Sequence, residues 1–150
     1  MSAEDLETCA AVRTLCACNQ LRRTARAMTQ HYERALAPSG LKATQLPILV
    51  ALGEGRPVPI TPLAGGLALD RTTLTRNLRV LEQRGLVTMA TDAGDARVHL
   101  VTLTDDGARV LGDALTIWRE LQREVEEAFA GPRLEALFAE LSTLAATLSR

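Results

Sequence analysis

The residues best suited to chemistry lie between Asp70 and Arg84, where arginine and threonine share one side of a helical pattern. Asp70 is a good N-cap, and Leu74, Leu78 and Leu81 follow at i, i+4 and i+7, the spacing of one helix face. With Leu74 set at roughly 0° and about 100° per residue, Thr72, Thr75, Arg76 and Arg79 fall between about 100° and 200°, away from the apolar stripe. Arginine grips phosphate or pairs bidentately with guanine, and threonine offers a hydroxyl and a methyl to base edges. The major groove presents those edges as a distinguishable code. Arg71 sits in the first turn, where recognition helices usually meet DNA. A solvated amphipathic helix would carry the same pattern, so the flanking elements must decide.

Upstream, Thr61-Pro62 reads as an N-cap followed by proline at the first helical position, with Leu63, Leu67 and Leu69 to bury. Gly65 and Gly66 fall inside that short helix, where two interior glycines cost on the order of 2 kcal/mol against alanine, so it must lean on tertiary packing. Downstream, Leu86 to Ala90 and Val98 to Leu103 are β-prone runs around a turn, Asp92 to Arg97, that holds Gly94 and Asp95. Thr104 then caps another helix. The order helix, turn, helix and β-wing has few uses besides reading duplex DNA.

Long helices frame this segment. Cys18, Leu21, Ala25, Met28, Tyr32 and Leu36 form one stripe of a helix over residues 6 to 37, about 48 Å long at 1.5 Å per residue, closed by Pro38-Ser39-Gly40. Such a helix is too long for so small a globule to cover. A second stripe runs through Leu111, Leu115, Trp118, Leu121 or Gln122, Val125 and Phe129. After Gly131-Pro132, the leucines at 134, 137, 141, 144 and 148 step as an a/d seam of nearly two heptads. The pattern predicts a homodimer, and two-fold symmetry predicts a pseudo-palindromic operator with half-sites about one helical turn apart.

Composition fits a single domain: 150 residues, 47% of them hydrophobic, with no apolar run near the roughly 20 residues of a membrane span. The N-terminus MSAEDLETCAAV lacks a basic-then-apolar signal pattern, so a soluble cytoplasmic protein is expected. The net charge of −1 looks unsuited to DNA, but the distribution answers it. Residues 56 to 97 hold six arginines against four acids, whereas residues 98 to 150 hold five against nine. An enzyme is not expected, because two histidines and no Gly-x-Ser-x-Gly elbow leave little to build a hydrolase on. No Cys-x-x-Cys or His-x-x-x-His pair offers a zinc site, and no cofactor is expected.

The residues Leu63-Ala64, Leu69, Thr73, Thr75-Arg76, Leu81-Glu82, Gly85-Leu86-Val87, Asp92, Asp95, Arg97, Leu103-Thr104 and Gly107 together resemble the MarR family of bacterial transcriptional regulators. The similarity extends over nearly the whole chain. The resemblance implies a mainly α fold with a small β-wing: a single domain over residues 1–150, with a winged helix-turn-helix region at 44–104 and dimerisation helices at 5–37 and 105–149. Its partner would be a double-stranded DNA operator, contacted by Thr61, Arg71, Thr72, Thr73, Thr75, Arg76, Arg79 and Arg97. Two departures stand out. The family's wing pattern Asp-x-Arg-Asp-x-Arg has Gly94 in place of its middle arginine, which puts minor-groove reading in doubt, and Gly65-Gly66 replaces the usual polar helix formers. The family would have Arg97 pair with Asp92 to brace the wing.

The resemblance also implies a repressor released by a small effector bound between the dimerisation helices and the winged region. Candidate contacts are Cys16, Asn19, Arg23, Arg26, His31 and Trp118, where an arginine beside an aromatic ring would suit an aromatic carboxylate or a phenol. Trp118 also lies on an apolar stripe and reads first as core, and His99 reads as a strand-surface residue. A rival sensor would use Cys9, Cys16 and Cys18, through thiol oxidation or a thiophilic metal. Within an intact helix Cys9 and Cys16 are about 10.5 Å apart along the axis, beyond the roughly 7 Å Cα limit of a disulfide. Bonding would need the other subunit or a melted helix end. Cys18, on the apolar stripe, reads as a small buried filler. A helical protein-interaction module without DNA binding is the alternative of another class.

Overall fold

The computed structural model describes residues 1–148, so residue 149, the expected end of the last helix, lies outside them. The elements run α1 (Ala3–Leu15), α2 (Ala17–Leu36), a 3-10 turn (Ala37–Ser39), α3 (Leu46–Ala51), β1 (Val58–Pro59), α4 (Ile60–Gly66), α5 (Arg71–Gln83), β2 (Val87–Thr91), β3 (His99–Leu103), α6 (Asp105–Phe129) and α7 (Gly131–Leu148). The fold is mainly helical with a small antiparallel sheet, a winged helix-turn-helix carried by long flanking helices.

The stripe of α5 does what its spacing demands. Leu74, Leu78 and Leu81 are fully buried against Leu36, Ile48, Leu49, Leu52, Val87 and Val101. Burying leucines at i, i+4 and i+7 sets the helix's rotation, so the opposite face must look outward. Arg84 ties the far end of α5 to the rest, its Nη1 donating to the Gly40 carbonyl at 2.8 Å. Gly40, at φ +70°, supplies the left-handed turn that ends the 3-10 segment.

The sheet has three strands in the order β1-β3-β2, one more than the two expected runs. Val87 pairs with Leu103 and Thr91 with His99, while the short β1 pairs Val58 with Val101 on the other edge of β3. Two residues, one of them a proline and the pair preceded by another, carry too little alternation to announce a strand. Thr104 joins the wing to α6: its hydroxyl accepts from the Gly107 N–H at 3.0 Å and donates to the Gly85 carbonyl at 2.7 Å. Gly107 allows that junction, because a Cβ there would overlap the Leu86 carbonyl oxygen.

Three local expectations are corrected. The helix expected over residues 6 to 37 is two helices, broken at Cys16, whose ψ of 111° leaves the helical range. The amides of Asn19 and Gln20 donate to the carbonyls of Val12 (3.4 Å) and Thr14 (2.7 Å), satisfying groups that a continuous helix would bond along its own backbone. Next, α4 starts at Ile60 with Pro59 at the cap position, so Thr61 lies inside the first turn and caps nothing. Pro59's fixed φ and the pairing of β1 set that start. Gly65 and Gly66 consequently occupy the last turn instead of the interior, ahead of a left-handed Ala68 (φ 51°). There Leu69 N–H donates to the Ala64 carbonyl and Ala68 N–H to the Gly65 carbonyl, a Schellman closure with alanine where glycine is usual.

Large apolar side chains remain in the open along α1, α2 and α7. Leu15 is 78% exposed and Leu6 54%, while Leu21, Met28, Leu137, Phe138, Leu141 and Leu144 are also exposed. Of the α7 seam, Leu134 alone is buried. Cys18, expected as a buried filler, is exposed, because none of the described residues covers the first half of α2.

Candidate nucleic-acid interface

The outward face of α5 is a groove lined by Arg71, Thr72, Thr75, Arg76, Arg79 and Val80, with Gln83 extending it. No ion pair holds Arg71, Arg76 or Arg79 among the described residues, so three guanidinium groups stand free in one helical stripe. Arginine without a local acid keeps its planar five-donor fork available to phosphate or to a base edge. Thr75 is half-buried and its hydroxyl donates back to the Arg71 carbonyl at 2.7 Å, so the hydroxyl oxygen is left as an acceptor only.

Thr73 has a different job from its neighbours. Its N–H donates to Asp70 Oδ1 at 2.8 Å and its hydroxyl to Asp70 Oδ2 at 2.6 Å, so it closes the N-cap of α5. Those bonds, the hydroxyl's first, hold the Asp70 carboxyl below the ordinary aspartate range, and the clamp is fully formed at neutral pH. The hydroxyl that was expected to serve DNA is engaged in starting the helix.

The wing is braced, but by another acid than the family pattern implies. Asp95 takes Arg97 in a fork, with Nε at 3.0 Å and Nη2 at 2.9 Å, and also accepts the Arg97 N–H. Asp92 instead accepts the backbone N–H groups of Gly94 (2.8 Å) and Asp95 (3.0 Å), closing the turn. The guanidinium keeps the Asp95 carboxyl below its usual range, and the carboxylate raises the Arg97 guanidinium in return. The guanidinium is exposed, so the pair shapes the loop more than it stabilises the protein.

Thr61, Arg71, Arg97 and His99 meet around a cleft where the start of α4, the start of α5 and the wing converge. His99, Gln83 and Val80 were missed as members of this surface. For Gln83 the signal was available, since it stands four residues after Arg79 on the same face. For His99 none was, because its neighbours come from another element.

The candidate effector residues are not brought together. Trp118 alone reaches an apolar cavity of about 630 Å³ between α2, α3, the end of α4 and α6, with Tyr32, Ala43, Leu46, Val50 and Leu67 among its walls. Burial pushes the Tyr32 phenol up, and its hydroxyl donates to Gln122 Oε1 at 3.4 Å. Asn19 is spent on the α1–α2 break, Arg23 and Arg26 are exposed on α2, and His31 lies 4.0 Å from Glu124 beside a separate cleft. Cys9 and Cys18 are exposed and Cys16 is half-buried, all with free thiols. The helix break removes the rigid spacing assumed between Cys9 and Cys16.

The family model described as "MarR family" matches residues 39–98. The organic hydroperoxide resistance transcriptional regulator of Bacillus subtilis is 33% identical over 100 residues, which span 67% of this chain and 68% of that protein. Among solved structures, the M. tuberculosis transcriptional regulator MosR in complex with DNA is 38% identical, with a TM-score of 0.74 over 89% of this chain and 98% of that one. The transcriptional repressor CouR, bound to a 23-mer DNA duplex, is 25% identical with a TM-score of 0.79 over 86% and 92% of the two chains.

Proposed function

The chain belongs to the MarR family of DNA-binding transcriptional regulators, and on that footing we propose that it acts as a homodimeric repressor released by a small neutral aromatic or aliphatic effector. The dimer reading rests on the apolar faces that α1, α2 and α7 leave uncovered in one chain. Recognition is assigned to Arg71, Thr72, Thr75, Arg76 and Arg79, with Thr61 and Arg97 at the margin and Thr73 setting the helix start.

One observation carries the effector reading: the cavity lined by Tyr32 and Trp118 touches both the scaffold helices and the helix-turn-helix, through Leu46 of α3 and Leu67 at the C-cap of α4. A ligand seated there would move α4 and the turn before α5, altering the spacing of two recognition helices in a dimer. No charged side chain lines the cavity, which favours a neutral ring over the carboxylate half of the sequence-based expectation. Trp118 is the chain's single tryptophan, so its fluorescence reports the site directly. Titration with phenol and with benzoate is expected to change Trp118 emission and release operator DNA for phenol first. Operator release by either compound with emission unchanged would move the effector site elsewhere.

A second reading is favoured by the break at Cys16 together with the hydroperoxide named in the Bacillus relative. Two thiols oxidised by a hydroperoxide give a disulfide, an alcohol and water, and a helix already interrupted at Cys16 offers the freed end that such a bond requires. Peroxide should then release operator from the wild type and spare a Cys16→Ser variant; equal release from both would remove this reading.

A further inference from the structure

We infer that His99 is a proton-dependent phosphate contact, so that DNA affinity rises as pH falls from 8 to 6; the inference rests on the DNA-binding reading of the α5 face. His99 sits at the start of β3, opposite Thr91, on the part of the wing nearest the recognition helix. Two clefts share it. One lies between α5 and the sheet, where Arg71, Thr75 and Arg79 face His99 and Thr91. The other lies between the wing and α4, where Thr61, Arg71 and Arg97 face it.

The charged groups around the ring are therefore Arg71 and Arg79 from α5 and Arg97 from the wing, with neutral Thr61 from α4 and neutral Thr91 from β2. Among the described residues no carboxylate lines either cleft, and the Asp95 carboxylate that forks Arg97 stands behind that guanidinium. The imidazole is exposed and makes no hydrogen bond or ion pair with any described residue. A cationic cleft with hydroxyl donors at its rim and no acid is built for an anion, and on a DNA-reading face that anion is a backbone phosphate. Without DNA, a proton on His99 would add a cation beside the unpaired Arg71 and Arg79, Arg97 being already paired with Asp95. With a phosphate in the cleft, the same proton is held between the ring and a phosphate oxygen. DNA binding therefore takes up at most one proton per protomer from solvent, which is why affinity rises as pH falls.

The test exploits a small inventory, since His31 and His99 are the only histidines in the chain. Fluorescence anisotropy at constant ionic strength, with a duplex selected by the protein from a randomised pool and with an unselected duplex of equal length, is read at pH 6 and pH 8. For the wild type we expect dimer affinity roughly a hundredfold weaker at pH 8, about tenfold for each protomer, the scale of one charge-assisted hydrogen bond apiece. The ratio should be similar on both duplexes, because phosphate carries no sequence information. His99→Gln should bind weakly with no pH effect, His99→Lys tightly with no pH effect, and His31→Gln should behave as wild type. A wild-type affinity independent of pH, or a pH effect that survives in His99→Gln, overturns the inference while leaving DNA binding intact. Absence of any preference for the selected duplex at either pH would instead overturn the operator reading on which it rests.

Discussion

The recognition helix and the wing both present arginine to solvent, yet they use it in opposite ways. On α5, Arg71, Arg76 and Arg79 form no ion pair among the described residues: the face is set by buried leucines behind it, Asp70 is occupied by Thr73, and Glu82 accepts the Met89 N–H. On the wing, Arg97 is forked by Asp95, and the place where the family carries another arginine is Gly94. The free guanidinium groups are ready to meet DNA at no local cost. Arg97 would first have to leave its carboxylate. Availability, and not the mere presence of a basic residue, separates a reading surface from a brace.

The contrast is best broken from the helix side. Arg76→Ala should weaken operator binding about 10- to 100-fold, the worth of a good bidentate base contact. Because Arg76 is exposed and unpaired, thermal unfolding and the oligomeric state should not change. A gel shift indistinguishable from wild type would remove α5 as the principal reader.

Gly94→Arg would sharpen the comparison by restoring the missing wing cation. A Cβ at Gly94 would meet only Asp92 Oδ1 at 3.2 Å, and the side chain can extend into solvent, so the turn should survive. Binding to duplexes with a narrow A/T-rich minor groove should tighten roughly fivefold, with less gain on G/C-rich ones. Equal affinities for the variant and the wild type on both would mean that the wing tip does not reach the minor groove.

The smallest effect is expected at Asp95→Asn, which leaves the turn bonds to Asp92 in place and releases Arg97. One cation freed and one anion removed per protomer should tighten binding about twofold to threefold, with a steeper salt dependence. Weaker binding instead would show that the fork presents Arg97 in its working geometry.

Much of this was legible in the residues. The leucine triplet of α5, its Asp70 cap, the Thr104 cap and the wing turn are local patterns whose physics acts within one or two turns of chain, and each forms where its spacing indicates. The break at Cys16 was not, since no proline or glycine marks it and the amides of Asn19 and Gln20 act only once α1 has folded back toward them. The Arg97 partner was equally hidden. Asp92 and Asp95 are both near in sequence, and the choice between them depends on how the turn closes around Gly94.

The sequence by itself determined that a helix with an apolar back and an arginine-threonine front precedes a β-wing, because periodicity and capping are short-range properties of the chain. Only the tertiary structure decided which of the front residues are free to bind, that Thr73 belongs to the cap, that Trp118 faces a cavity without charge, and that His99 stands across from Arg71 and Arg79. Those outcomes depend on side chains brought together from separate elements. Their distances are set by the packing of the leucine core, and no spacing along the chain encodes them.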